Sequence, residues 1–130
     1  MSEDVKARCE ETNIDAVQRW AAENNLDVVF PKPDELFLDI DNYSSSVVYE
    51  ENKDIVEQSH GILGVVVTES RSGHGKKHYV VKLKRPITVV ERIALQAILG
   101  SDRRREANSL RRHVIDGETS PTLFFEKRCS

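Results

Sequence analysis

Two aspartates, Asp39 and Asp41, stand two residues apart at the end of the apolar run LFLDID. Residues i and i+2 of a β-strand project from the same face, so this spacing places both carboxylates on one face and Leu38 and Ile40 on the other. Carboxylates this close repel one another unless a cation lies between them or their pKa values rise. The pattern therefore indicates a site for a hard divalent cation, Mg²⁺ or Mn²⁺.

Two residues from other apolar segments are candidates to join this pair. His78 lies in HYVVKLK and Glu126 lies in TLFFEK, and both segments have the composition of strands. If these strands flank the one that carries Asp39 and Asp41, the four side chains converge, with Glu126 as the third metal ligand. A metal in such a site supports phosphoryl or nucleotidyl transfer. The plainer alternative is that all four are surface residues, since acids at strand ends commonly serve as turn or cap residues.

The chain's net charge of −3 hides an uneven distribution. Residues 1–70 hold 16 acidic and 5 basic residues, whereas residues 71–112 hold 3 acidic and 12 basic residues. Local charge determines what a surface attracts, so we expect the basic segment to hold the phosphates of a nucleotide or nucleic acid. The candidate phosphate-binding residues are Ser72, Lys76, Lys77, Lys82, Arg103, Arg104 and Arg105. The alternative is that RRREANSLRR forms a solvated helix that pairs with the acidic half.

The pattern of apolar residues predicts the elements that position these groups. A helical extension over residues 1–30 precedes a domain over residues 31–130 with the order β-α-β-β-α-β. This order is typical of the α+β ferredoxin-like or RRM-like sandwich, with a four-stranded antiparallel sheet and the helices on one face. In that fold the LFLDID strand is central, between the HYVVKLK strand and the TLFFEK strand. Asp102 is a candidate cap for the last helix.

The same residues resemble the motifs of the archaeo-eukaryotic primase superfamily, whose catalytic core is RRM-like. LFLDID is similar to its first motif, SRSGHGKKHYVV to its second and TLFFEK to its third, over roughly residues 35–127. The resemblance implies that Asp39, Asp41 and Glu126 hold the metal and that His78 contacts the phosphates of a nucleotide. His74 is an alternative for the motif histidine, and Asp116 for the third acid. The block ERIALQAILGSDRRREANSLRR also looks similar to small phage proteins.

These observations lead to two functional hypotheses and to an expected setting. The first is a small primase-polymerase-like domain that binds nucleotide or nucleic acid through its metal; the alternative is a non-catalytic RRM-like module, such as a phage accessory protein, that binds nucleic acid or protein. With two cysteines, an acidic N-terminus and no long apolar run, we expect a cytoplasmic protein without a membrane partner. The amphipathic N-terminal helix could support a homodimer.

Overall fold

The computed structural model describes residues 13–69 and 75–127, which form four helices and two small antiparallel sheets. In chain order the elements are α1 (Asn13–Glu23), β1 (Leu26–Val29), β2 (Glu35–Ile40), α2 (Tyr43–His60), β3 (Ile62–Glu69), β4 (Lys77–Leu83), α3 (Val89–Ile98), α4 (Arg103–Asp116) and β5 (Phe124–Lys127). They fall into two compact units. Residues 30–123 make the larger unit, and the described part of the smaller unit comprises residues 13–29 and 124–127.

The larger unit is built on a three-stranded sheet in the order β2-β4-β3. Its core lies on one side of this sheet, where alternate residues of β2 are fully buried: Leu36, Leu38 and Ile40. They pack with β4 and with apolar side chains of α2 and α3, among them Val56 and Leu95. Leu38 and Ile40 are therefore on the core side as predicted, but Phe37, on the face shared with Asp39, is buried too (3% exposed), so β2 does not alternate between core and solvent along its whole length. Burial of each leucine stabilises the fold by about 1.5–3 kcal/mol.

Each helix that borders the candidate site begins at a residue suited to capping. The side chain of Asn42 accepts a hydrogen bond from the Ser45 N–H at the start of α2 (2.9 Å). Asp102 does the same for Arg104 at the start of α4 (2.9 Å), so its predicted capping role is confirmed. Such caps satisfy N–H groups that the first turn of a helix leaves without partners.

The outer edge of β2 is hydrogen-bonded by helix side chains instead of by another strand. Phe37 N–H donates to Gln96 Oε1 (2.9 Å), and Arg105 Nη1 donates to the Phe37 carbonyl (2.7 Å). Farther along, Asp39 N–H donates to Ser101 Oγ (2.9 Å). The buried carboxylate of Glu106 holds the three side chains together, because it accepts from all of them. Every edge group of these two β2 residues therefore has a partner, since the Asp102 N–H donates to the Asp39 carbonyl (2.9 Å).

The prediction of a single four-stranded sheet is wrong, because β5 does not pair with β2. β5 pairs with β1 in the smaller unit, in a register that sets Val29 opposite Phe124 and Asp27 opposite Glu126. The ring of Trp20 on α1 contacts Phe125 of β5 edge-on, with centroids 5.0 Å apart. β1 was not expected, because residues 26–29 lie within the predicted helical extension over residues 1–30. The place predicted for β5 at the edge of β2 is taken by the Gln96, Ser101 and Arg105 side chains.

Replacing Gln96 by leucine should show how much this edge contributes to stability. Gln96→Leu keeps a side chain of similar size but removes the hydrogen-bond partner of the Phe37 N–H and the bond to Glu106 Oε1, while Glu106 Oε2 still accepts from Ser101 and Arg105. We expect the free energy of unfolding in urea to fall by about 2–4 kcal/mol, since each buried polar group without a partner costs about 1–3 kcal/mol. The exposed Gln58 of α2 provides the matched control, Gln58→Leu, and a similar loss in both variants would contradict the assignment.

Candidate metal centre

The structure brings three aspartates of the larger unit together: Asp39 on β2, Asp41 just after it, and Asp102 at the start of α4. One carboxylate oxygen of each lies within 4.8 Å of the others, and all three side chains are partly exposed. Asp39 and Asp41 were predicted to form such a site. Asp102 is the acid that sequence reasoning assigned only a capping role.

Backbone hydrogen bonds to Asp39 place Asp102 beside it. The Asp39 N–H donates to Ser101 Oγ and the Asp39 carbonyl accepts from the Asp102 N–H, both at 2.9 Å. These two bonds attach the turn between α3 and α4 to the end of β2. The carboxylate of Asp102 is then held by the first turn of α4, where it accepts from the N–H groups of Arg104 and Arg105.

Gly100 permits the turn between α3 and α4 to approach the start of α2. Its φ of +87° lies in the left-handed region, and a Cβ at this position would lie 2.5 Å from the backbone carbonyl oxygen of Ser45. Only glycine avoids both penalties. The first turns of α2 and α4 consequently border one groove of about 340 Å³, which includes Asp41, Asn42, Asp102 and Arg103 among its lining residues.

The groove combines two electrostatic features that suit a metal-bound phosphate. The first turns of α2 and α4, helices of 18 and 14 residues, bring the positive end of the helix dipole to the groove. The caps Asn42 and Asp102 already accept from the N–H groups of Ser45, Arg104 and Arg105, so the dipole rather than these N–H groups is what favours an anion. Arg103 adds a full positive charge at the groove wall. The carboxylates of Asp41 and Asp102 lie on the same wall and would repel an anion unless a cation stood between them.

The three carboxylates accommodate their repulsion through one proton. Burial, the hydrogen bond with Asp102 and the charge of Asp39 raise the pKa of Asp41 to about 7. For Asp102, burial opposes ionisation, but the hydrogen bond with Asp41 and the bonds from the Arg104 and Arg105 N–H groups hold its pKa below the usual value. Asp41 is thus the acid that carries the proton, and Asp102 is the ionised partner.

The spacing of the oxygens can be compared with the size of a cation. Two ligands of one ion lie at most twice the metal–oxygen distance apart, which is about 4.2 Å for Mg²⁺ and about 4.6–5.2 Å for Ca²⁺. Oxygens that all lie within 4.8 Å of one another are therefore close enough to ligate one divalent cation. The cation would take the place of the Asp41 proton.

His78 lies next to the acidic cluster, as predicted. It stands directly opposite Asp39 in the β2–β4 register, with Thr68 of β3 on its other side. Residues directly opposite in an antiparallel pair project from the same face with Cβ atoms about 4.5–5.5 Å apart. His78 and Asp39 therefore share a sheet face.

Glu126 was expected to reach the cluster through pairing of β5 with β2, and that pairing is wrong. Glu126 is instead opposite Asp27 in the sheet of the smaller unit. Asp116, the alternative third acid, is the last residue of α4, whereas Asp102 precedes the first residue of the same helix. Among the described residues the third carboxylate beside Asp39 and Asp41 is therefore Asp102. The motif histidine alternative, His74, lies outside the described residues.

The predicted phosphate-binding residues have different surroundings. Lys76 and Lys77 are exposed at the start of β4, and Arg103 and Arg104 are exposed at the start of α4. Lys82 forms an ion pair with Asp34 at 2.7 Å. Ser72 lies outside the described residues.

Arg105 forms hydrogen bonds within the protein and is not available to a phosphate. Its guanidinium donates to the Phe37 carbonyl, to Ser101 Oγ and to Glu106, and its side chain is only 17% exposed. Arg105 is therefore part of the support beneath the acidic cluster. The exposed cations beside the groove come from the two preceding residues of α4.

The sequence does single out Asp102, but as a helix cap and not as a metal ligand. The run Gly100-Ser101-Asp102 follows an apolar-periodic helix and precedes a basic one, which identifies a cap. Its contact with β2 depends on which residues form hydrogen bonds to the backbone at the outer edge of β2. The local sequence around Asp102 does not reveal these residues.

Comparison of the chain with protein-family models, curated proteins and solved structures gives no match. No helix within residues 13–69 and 75–127 is long and apolar enough to cross a membrane.

Substitution of Gly100 should test whether the close approach of the turn is required. Gly100→Ala meets both a disfavoured φ and the Ser45 carbonyl, whereas Gly117→Ala, at φ +74°, meets the disfavoured φ alone. We expect a loss of about 1 kcal/mol for Gly117→Ala and at least about 2 kcal/mol more for Gly100→Ala in urea unfolding. Equal losses would show that the approach to Ser45 does not constrain the turn.

The proton on Asp41 predicts how stability depends on pH. The folded-state pKa of about 7 exceeds the ordinary aspartate pKa of 3.8, so the stability that the proton contributes is fully present below about pH 4 and is lost as pH rises through 7. Asp41→Asn removes this loss. In metal-free buffer at pH 8 we expect the variant to be about 1–2 kcal/mol more stable than the wild type, a value discounted for partial exposure.

The measurement is urea unfolding at pH 4, 6 and 8. The difference between the two proteins should become small at pH 4, where Asp41 is protonated in the folded wild type and partly protonated in its unfolded chain. Asp54→Asn, which removes an exposed carboxylate of α2, controls for loss of one surface charge. A constant difference between wild type and Asp41→Asn across this range would refute the assignment of the proton.

Proposed function

We propose that residues 30–123 bind a divalent cation through Asp39, Asp41 and Asp102, and that the cation holds the phosphate groups of a nucleotide or nucleic acid in the adjoining groove. The observation that carries the proposal is that Asp41 and Asp102 line one groove with the first turns of two helices, and that Asp39 has a carboxylate oxygen within 4.8 Å of theirs. Carboxylates select a cation, and helix N-termini select an anion. Their combination suits a ligand that has both, which is a metal-bound phosphate.

The residues of the groove have distinct roles in this proposal. The three aspartates would supply oxygen ligands, and the bound cation would supply charge neutralisation for phosphate oxygens, as in nucleotidyl transfer. Arg103 would pair with a second phosphate group from the groove wall. His78 would contact a phosphate oxygen on the sheet face that it shares with Asp39, and its position opposite Asp39 in the register supports this role. The resemblance to the primase superfamily supports the same substrate class through its DxD and histidine motifs.

Titration with Mn²⁺ tests the cation site. We expect a rise in melting temperature of about 5 °C or more at saturating Mn²⁺, since a ligand present at 100 times its Kd stabilises by about 2.7 kcal/mol. Asp39→Asn and Asp102→Asn should abolish the shift, whereas the matched controls Asp116→Asn and Glu126→Gln should retain it. The absence of any shift at 10 mM Mn²⁺, Mg²⁺ and Ca²⁺ would refute the proposal.

Addition of a nucleoside triphosphate tests the groove separately from the cation. In calorimetric titrations we expect triphosphate binding to require Mn²⁺ and to weaken about tenfold in Arg103→Ala, because one charge-assisted contact is lost. Arg111→Ala is the control, since Arg111 is an exposed arginine of the same helix away from the groove. Triphosphate binding that persists in EDTA would contradict the proposal that the cation holds the phosphate groups.

The second candidate is a non-catalytic RRM-like module that binds nucleic acid or protein through α4. One observation favours it: Arg103, Arg104 and Arg111 are all exposed on this helix. Such binding would be independent of metal and steeply weakened by salt. Anisotropy measurements with labelled single-stranded DNA and RNA in EDTA distinguish the two candidates. If the second candidate is correct, the double variant Arg104→Ala with Arg111→Ala binds more weakly than the wild type, and Asp39→Asn binds equally well.

A further inference from the structure

α3 carries polar residues on its inner side and apolar residues on its outer side. Its buried residues include Arg92 and Gln96, which bond to the backbone of β2. Its exposed apolar residues, here called the outer stripe, recur at the spacing of one helix face and are Val90, Ala94, Ala97 and Ile98. A surface helix ordinarily places charged residues on its outer face, so this stripe is suited to burial against a partner.

α3 lies between α2 and α4 and contacts both helices. On the α2 side, Glu91 contacts His60 at 3.4 Å. On the α4 side, Gln96 Nε2 donates to Glu106 Oε1 (2.7 Å). Glu91 and Gln96 are five residues apart, which is about 140° around the helix, so the two neighbours contact different flanks of α3. The outer stripe lies on the wider arc between these two contacts and is bordered by α2 and α4.

The two helices that border the outer stripe expose charges of opposite sign. The exposed residues that form no ion pair within 13–69 and 75–127 and no capping or backbone bond through their side chains are Glu51 and Asp54 on α2, and Arg103, Arg104 and Arg111 on α4. Glu50 is not counted, because it pairs with Lys53 at 2.6 Å. Glu57 is not counted either, because it accepts from the Ile62 N–H. On α4 the exposed acid is Asp116, at the last residue of the helix. The α2 border is therefore acidic and the α4 border is basic.

We infer that two copies of this chain form a dimer in which the outer stripes of α3 face each other about a two-fold axis parallel to α3. This axis exchanges the two borders, so α2 of each copy lies against α4 of the other, acid against base on both sides. An axis perpendicular to α3 would instead set α2 on α2 and α4 on α4, with like charges together. The partner is a second copy because the layer supplies both the apolar centre and the two complementary borders.

The contacts within one copy give the register of the charged pairs. Asn52 donates to the Ile98 carbonyl (2.8 Å), and Gln96 bonds to Glu106, so Glu51 and Arg104 lie toward the same end of the three helices. A two-fold axis parallel to α3 preserves position along that direction. Glu51 of one copy therefore faces Arg104 of the other, and Ala94, in the middle of the stripe, faces its own counterpart.

Sedimentation of the full chain over a concentration series in metal-free buffer tests the dimer. A contact through three short helices is no larger than a standard interface of about 1,600 Å², so we expect a Kd of about 1–100 µM. Ala94→Lys should raise the Kd at least tenfold, because two ammonium groups would meet at the axis. A monomer at every concentration up to 1 mM, or a dimer unaffected by Ala94→Lys, would overturn the inference.

The matched control is Val66→Lys on β3. Val66 is 61% exposed and pairs with Val80, whereas the neighbouring Val81 faces the core, so Val66 lies on the sheet face opposite to the helices. This variant should dimerise like the wild type. A loss of the dimer in Val66→Lys equal to that in Ala94→Lys would place the interface elsewhere and overturn the inference.

Exchange of the border charges tests the pairing of α2 with α4. Glu51→Arg and Arg104→Glu should each weaken the dimer about three- to tenfold, and the double variant should recover most of the loss, since the pairs are restored with reversed sign. Lys84→Glu, an exposed residue after β4, controls for net charge and should leave the Kd unchanged. A double variant at least as weak as the two losses combined would reject this arrangement. Circular dichroism of every variant verifies folding.

Cross-linking gives an independent measure of the axis. In a Cys9→Ser and Cys129→Ser background, Ala94→Cys should form a covalent dimer with a short bis-maleimide reagent, because the two thiols face each other across the axis. Val66→Cys should not. Cross-linking through Val66→Cys alone would overturn the inference, and so would a chain that stays monomeric while its α4 binds single-stranded nucleic acid equally well in the wild type and in Ala94→Lys.

Discussion

The larger unit depends on completing the hydrogen bonds at the outer edge of β2. Backbone N–H and C=O groups inside a protein need partners, and a sheet edge that packs against helices cannot rely on water for them. Gln96, Ser101 and Arg105 provide those partners, and the buried carboxylate of Glu106 fixes all three. Their helices are thereby attached to β2 along its length.

The acidic cluster is a consequence of this attachment. Ser101 and Asp102 bond to the backbone of Asp39, so the cap of α4 must lie beside the end of β2. Gly100 allows the same turn to touch the start of α2. Three carboxylates and two helix N-termini then meet because of backbone bonding, and the proton on Asp41 compensates for the negative charge that this arrangement concentrates. Rigid backbone contacts of this kind are a suitable support for a site that must hold a ligand in fixed geometry.

The sequence was sufficient for features that depend on local patterns. Strand alternation predicted that Leu38 and Ile40 share one face, and both lie in the core; the order β-α-β-β predicted β3 and β4 as consecutive strands, and the two pair. The pairing of β5 could not be predicted, because β1 and the β2 edge offer it similar backbone partners. The β2 edge is closed to β5 because Gln96 and Arg105 bond to it. Predicting those bonds requires knowing where α3 and α4 lie. Asp102 could be predicted as a cap because capping involves residues next to it in the sequence. Its contact with Asp39 joins residues far apart in the sequence and therefore could not be predicted.

The ladder between β1 and β5 sets where the chain enters and leaves the larger unit. Val29 and Phe124 are cross-strand partners, so residues 30–123 form a closed loop whose two ends are held adjacent. Topologically, the larger unit is an insertion within the smaller one. Forming this ladder brings the two ends of a long loop together, and the ladder must offset the entropy cost of that closure, which grows only slowly with loop length. Adjacent ends also make residues 30–123 suitable for transplantation into a surface turn of another protein, or for circular permutation through a short linker.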